Sequence, residues 1–174
     1  MSGADALKRL HTARVDTRSA QRRRVRIDAW DDLRAEVDRI ERASTPGGEG
    51  LRVTGNWSAG QILVHIARGI ERSMDGFDPA PPGIVPGLKS RLLSLPQQPA
   101  GESIARPGEL DPPAQVWTNE GAARLRGVIE RVRIGHPMDK PSPTAGVLTG
   151  AEWESFHLRH AALHLSFVLL GEWL

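Results

Sequence analysis

The sequence predicts an all-α protein, a four-helix bundle of a single domain. Three observations carry that expectation. Four segments place apolar residues at three- and four-residue steps, the period of one helical face. Two of them open on a Ser or Thr followed three residues later by Gln or Glu, the spacing of a capping box. No segment alternates apolar and polar residues for long enough to be assigned as a strand.

Residues 1–27 are polar and Arg-rich, with a short helical pattern in "ADALKRLH". They read as an N-terminal arm, partly frayed, ahead of a domain spanning 28–174. The first helix starts near Asp28, with Trp30, Leu33, Val37 and Ile40 on one stripe, and "PGGEG" ends it. The second opens at "NWSAGQI", where Ser58 and Gln61 have the capping-box spacing and Trp57 is placed to staple onto Ile62. Its inward stripe runs Ile62, His65/Ile66, Gly69/Ile70 and Met74. Residues 78–113 form a long Pro/Gly-rich linker between helices 2 and 3, with an apolar patch in "SRLLSL". A connection of that length in a compact domain usually serves function or assembly, so it is expected to wall a pocket or an interface. The third helix follows Pro112 and Pro113, with Trp117, Gly121, Leu125, Val128 and Val132 facing inward. "GHPMDKPSPTAG" breaks it. The last helix has the clearest start, "LTGAEW", with Thr149 and Glu152 as the box and Leu148 and Trp153 as the staple. Its stripe is read as Trp153, Phe156, His160, Leu163/His164, Phe167 and Leu170/Gly171. Trp30, Trp57, Trp117 and Trp153 are all assigned to packing and staples.

The composition excludes several classes of function. The chain has 174 residues, 39% hydrophobic and 25% charged, which suits one globular domain. It has no cysteine, so disulfides, thiolate metal sites and cysteine nucleophiles are ruled out. Net charge is only +2, and apart from "RRRVR" at Arg22–Arg26 the basic residues are dispersed. No nucleic-acid partner is therefore expected. The longest apolar run, "FVLL", is too short for a membrane span, and no signal peptide is recognisable, so no membrane partner and a cytoplasmic location are expected. There is no phosphate-binding Gly-rich loop and no nucleophile elbow. One Glu-x-x-His, Glu154 with His157, falls short of the two that a di-iron carboxylate bundle uses.

The histidines are the residues that carry chemistry. The chain has six, and "HLRHAALH" holds three of them. His160 and His164 are four apart, so on a helix their rings stand about one turn apart on the same side. That spacing offers two imidazoles to one ion, as in HExxH, but Ala161 stands where the glutamate of that motif would be, so metalloprotease chemistry is not indicated. His65, on the apolar stripe of the second helix, supplies a third ligand. Three His ligands with an open position would make a catalytic-type divalent site. The other explanation is a set of core histidines hydrogen-bonded to carbonyls or carboxylates, and spacing alone leaves both open. His157 can pair with His160 instead, but it lies two turns from His164, about 10 Å along the axis, too far for one ion to take both. It reads as a supporting or surface residue. His11 and His136 lie in loop-like context and are given no role. No general base can be named; Glu71 and Ser166 are the nearest candidates by position.

"GNWSAGQILVHIARGIERSMDGF" (Gly55–Phe77) and "PSPTAGVLTGAEWESFHLRHAALHLSF" (Pro141–Phe167) together resemble the DinB/YfiT-like superfamily of metal-binding four-helix bundles. The resemblance is strongest to its uncharacterised bacterial branch, domain of unknown function 1569. It implies a divalent metal, nickel, zinc or iron, held by one histidine of the second helix and an H-x-x-x-H pair of the last, which fall on His65, His160 and His164. Relatives in the superfamily include transferases and isomerases that use mycothiol or bacillithiol, where the metal activates the thiol. The resemblance thus implies a low-molecular-weight thiol as co-substrate, an unidentified small-molecule substrate and a homodimer. A non-catalytic stress-related binding or dimerisation module is the alternative. One position departs: many relatives carry adjacent histidines where Leu163 and His164 stand here.

Overall fold

The structure, a computed structural model, describes residues 15–77, 87, 89 and 110–171. Among them are four α-helices, α1 (Trp30–Ser44), α2 (Ala59–Asp75), α3 (Thr118–Arg133) and α4 (Gly150–Leu165), and two short strands, β1 (Leu51–Val53) and β2 (Val168–Leu170). The architecture is the expected all-α four-helix bundle. The linker that joins α2 to α3 lies mostly outside the described residues, as does "SRLLSL" within it.

Each helix starts where a side chain takes up a backbone N–H at the cap or in the first turn. At α2, Ser58 Oγ accepts from Gln61 N at 3.2 Å, and Gln61 Oε1 accepts from Ser58 N at 2.8 Å. At α4, Thr149 Oγ1 and Glu152 Oε2 exchange the same two bonds at 3.2 and 2.8 Å. At α1 the acceptor is Asp32, whose Oδ2 takes the N–H groups of Asp28 and Ala29, each at 3.0 Å. The helix therefore begins at Trp30 rather than Asp28.

The predicted stripes form the core. Leu33, Val37 and Ile40 of α1, Ile62, Ile66, Ile70 and Met74 of α2, and Leu125 and Val128 of α3 are all buried in one cluster. α2 lies between α3 and α4, and α1 packs on α3. Backbones approach closely where α2 meets the start of α3. A Cβ on Gly60 would stand 2.4 Å from the Val116 carbonyl oxygen, and one on Gly121 would stand 2.6 Å from that of Gly60. Ion pairs clasp the helices outside this core. Arg126 of α3 bonds Asp38 and Glu41 of α1 at 2.9 and 2.7 Å, and Arg131 bonds Asp75 of α2 at 2.6 Å. The hydrogen bond from Arg131 holds the Asp75 carboxyl below its ordinary range.

Three expectations need correction. The last helix does not run on through Phe167 and Leu170. It stops at Leu165, and residues 168–170 turn into a strand that pairs antiparallel with β1, Leu51 opposite Leu170 and Val53 opposite Val168. The apolar run "FVLL" is buried on all three of its strand residues, so it carries no alternation to reveal a strand. Trp117 is not on the inward stripe of α3; it is 76% exposed. It is the residue before the helix and has extended backbone (φ −71°, ψ 148°), so helical periodicity does not set its direction. His157 is not at the surface but in the core, as described below.

Residues 15–27, the described part of the expected arm, run along the domain. Arg23 N donates to Ser166 O at 2.9 Å and its guanidinium pairs with Glu36, while Thr54 Oγ1 donates to Gln21 O at 2.6 Å. Ile27 is part of the core cluster.

Candidate metal centre

The capping box at Ser58 fixes the start of α2, and His65 follows two turns on, buried at 2% exposure. The box at Thr149 fixes α4, which presents His160 and His164 one turn apart, both half-buried. α2 and α4 pack against each other, and the three rings meet. Ring centroids are 5.0 Å apart for His65–His160, 4.6 Å for His65–His164 and 4.5 Å for His160–His164. One nitrogen from each ring can be chosen so that all three lie within 4.8 Å of one another.

The protonation of His65 follows from its neighbours. Its Nδ1 is 2.8 Å from the Leu110 carbonyl oxygen, which can only accept, so Nδ1 carries the hydrogen. In the neutral ring Nε2 then holds the lone pair, and it points at His160 Nε2, 3.2 Å away. Four nitrogens around a tetrahedral ion with bonds of about 2.0–2.1 Å stand about 3.3 Å apart, so this pair has the separation of two ligands of one cation. A ligand imidazole whose other N–H is donated to a backbone carbonyl is the usual arrangement at metal centres, because it fixes both ring orientation and tautomer. The donor set therefore fits a divalent transition ion. It equally fits one His160 N–H donated to His65.

Aromatic rings enclose the cluster. Trp57, expected to staple onto Ile62, has its ring 4.7 Å from His65 and stacks on His164 at 5.7 Å. Phe156 lies 5.5 Å from His160. These walls keep the imidazoles from swinging away and lower the local polarity. Spacing alone did not place Trp57 here, because residues before a cap have no helical direction.

His157 belongs to a different place. It is buried at 2% exposure, its Nε2 is 3.0 Å from Ser73 Oγ, and its ring stacks on Trp153 at 5.0 Å with 8° between planes. Ser73 Oγ donates to Ile70 O, so it accepts from His157 Nε2–H. Burial pushes the His157 pKa down to about 3. It is a neutral core residue tying α4 to α2, two turns before His164 along the helix. The two side chains considered as bases are engaged elsewhere. Glu71 is held by Arg124 at 2.6 and 3.0 Å, and Ser166 Oγ, itself buried, donates to Leu163 O at 2.6 Å. Of the remaining histidines, His136 is exposed and His11 lies outside the described residues.

The family described as "Protein of unknown function (DUF1569)" matches residues 19–170, almost the whole chain and every element of the bundle. The chain belongs to that family. The DUF1569 match takes in both strands and all three histidines of the cluster, and it begins inside the Arg-rich N-terminal segment. No curated protein and no solved structure matches the chain. Among the described residues no helix is long and apolar enough to cross a membrane.

Proposed function

We propose that this DUF1569 bundle binds a divalent transition metal through His65, His160 and His164 and uses it in a thiol-dependent transfer or isomerisation, as a member of the DinB/YfiT-like superfamily. The observation that carries the reading is the Nδ1–H···O=C bond from His65 to Leu110, which leaves a lone pair aimed into the cluster of three imidazoles. An all-imidazole set suits zinc, nickel or iron(II). A divalent ion with an open position supplies Lewis acidity and makes a bound thiol or water a stronger nucleophile. The chain has no cysteine, so the sulfur would come from a small co-substrate such as mycothiol or bacillithiol. His160 and His164, half-buried, form the approachable side of the cluster, while Trp57 and Phe156 limit water.

A second reading is a non-catalytic metal-binding or dimerisation module. It is favoured by one observation: neither Glu71 nor Ser166 is free to move a proton at the cluster. The two separate experimentally. Protein purified without a tag is analysed for bound metal beside His160→Ala, and the cobalt(II) form is titrated with a low-molecular-weight thiol. The enzyme reading expects metal in the parent and little in the variant, and a thiol-to-cobalt charge-transfer band. A cobalt spectrum indifferent to thiol leaves the second reading. Negligible metal in both proteins removes the enzyme reading and leaves a binding or dimerisation module without metal.

A further inference from the structure

We infer that Gln61 is a positioning residue for the candidate metal centre, acting through the segment Leu110–Trp117, which it ties down along α2. The inference rests on the three-histidine reading above.

Gln61 precedes His65 by four residues, so the two lie on the same side of α2. Both ends of its amide are used. Oε1 accepts from Ser58 N–H at 2.8 Å, closing the cap. Nε2 donates to the carbonyls of Pro113 and Ala114, at 2.9 and 3.1 Å. Since a carbonyl oxygen only accepts and a backbone N–H only donates, the amide has one possible orientation. The strap it holds lies along α2, and its carbonyls meet α2 at four residues. Arg68 donates to the Asp111 carbonyl, His65 to that of Leu110, Gln61 to those of Pro113 and Ala114, and Gly60 lets the carbonyls of Val116 and Trp117 come in where a Cβ would stand 2.4 and 2.7 Å from them.

One bond of this series decides chemistry. The Leu110 carbonyl keeps the hydrogen of His65 on Nδ1. Without a fixed acceptor there, a neutral imidazole distributes its hydrogen over both nitrogens, and the form with Nε2–H has its lone pair on Nδ1, turned away from His160, and none on the nitrogen that faces the cluster. The strap is held to α2 just downstream of that bond, by Arg68 at the neighbouring Asp111 carbonyl and by Gln61 at those of Pro113 and Ala114. Gln61 thus fixes the tautomer of a ligand it does not touch.

The variant Gln61→Glu separates this role from the cap. The carboxylate still accepts from Ser58 N–H, and its charge suits a helix N-terminus. Its other oxygen faces the Pro113 and Ala114 carbonyls with nothing to donate. Arg68→Leu loosens the strap from the other end and serves as the second variant. Two readouts are taken. Long-range 15N–1H correlation spectra of metal-free protein at a pH of about 8 report the His65 tautomer. Titration with cobalt(II) reports affinity. The parent is expected to show Nδ1–H at His65, and both variants a shift toward Nε2–H, with cobalt affinity lowered about tenfold and α2 intact by circular dichroism. An unchanged His65 tautomer in both variants overturns the role of the strap, whatever cobalt does. A shifted tautomer with unchanged cobalt affinity overturns the positioning role. If the parent itself takes no cobalt, the three-histidine reading falls and the positioning role with it, while the tautomer spectra still show whether Gln61 orders His65.

Discussion

Lowering the pH from 7 to 5 is expected to weaken the fold through His157, by an amount that the structure sets. In the unfolded chain this imidazole titrates near its ordinary value of 6.5, whereas in the core burial pushes it down to about 3. The rings and hydroxyl that contact it, those of Trp153, Phe156 and Ser73, carry no charge to stabilise a cation. Between the two pKa values the unfolded chain binds a proton that the folded chain refuses. The contribution is fully present above pH 6.5 and is lost as pH falls toward 3. From pH 7 to 5 the loss is about 2 kcal/mol, and over the whole interval it approaches about 5 kcal/mol. The carboxylates whose pKa values are lowered, Asp16, Asp75 and Glu152, stay ionised between pH 7 and 5. The assay is urea unfolding, followed by circular dichroism at both pH values with chelator present, for the parent and for His157→Leu. Comparing the two cancels the other histidines. The variant's loss between pH 7 and 5 should be smaller by about 2 kcal/mol. Equal losses in both proteins would refute the assignment of His157 as a buried neutral group.

Three further outcomes follow from the geometry. Zinc or cobalt at about a hundred times its dissociation constant should raise stability by about 2.7 kcal/mol, and chelator should reverse it. Thermal melts of the parent test this, and His160→Ala should not respond. Gly60→Ala should cost about 1–3 kcal/mol, because the added methyl meets backbone oxygens of Val116 and Trp117 that cannot rotate away. Denaturant unfolding measures that cost. Gly127→Ala should instead stabilise by about 0.5–1 kcal/mol, since the site is exposed on α3 with nothing within 4 Å of a new Cβ. A melting temperature no higher than the parent's would contradict it.

Helical periodicity made the core legible in the sequence. Leu33, Val37, Ile40, Ile62, Ile66, Leu125 and Val128 are inward because the 3.6-residue repeat leaves them no other side, and the boxes at Ser58 and Thr149 fixed two helix starts to the residue. The meeting of His65, His160 and His164 was legible for the same reason, since each sits on such a stripe. What periodicity cannot reach is everything outside a helix. Trp117 is the residue before α3 and Trp57 stands two before α2, and one is exposed while the other covers the imidazoles. The strand at Val168–Leu170 exists only because Leu51–Val53 waits for it far back along the chain, a pairing no local pattern encodes. His157 was misplaced because a histidine and a polar surface residue look alike in sequence. Its partner Ser73, 84 positions away, is what allows it inside. The Leu110 carbonyl was invisible for a different reason: backbone groups have no letter of their own.

The two imidazoles that come within 3.2 Å of each other belong to residues 95 positions apart. A cation seated between them would act as a removable cross-link in a protein that has no cysteine with which to make a permanent one. Loading and unloading it would tighten or release the seam between the second helix and the last, so the availability of free metal around the protein would be felt as a change in its stiffness.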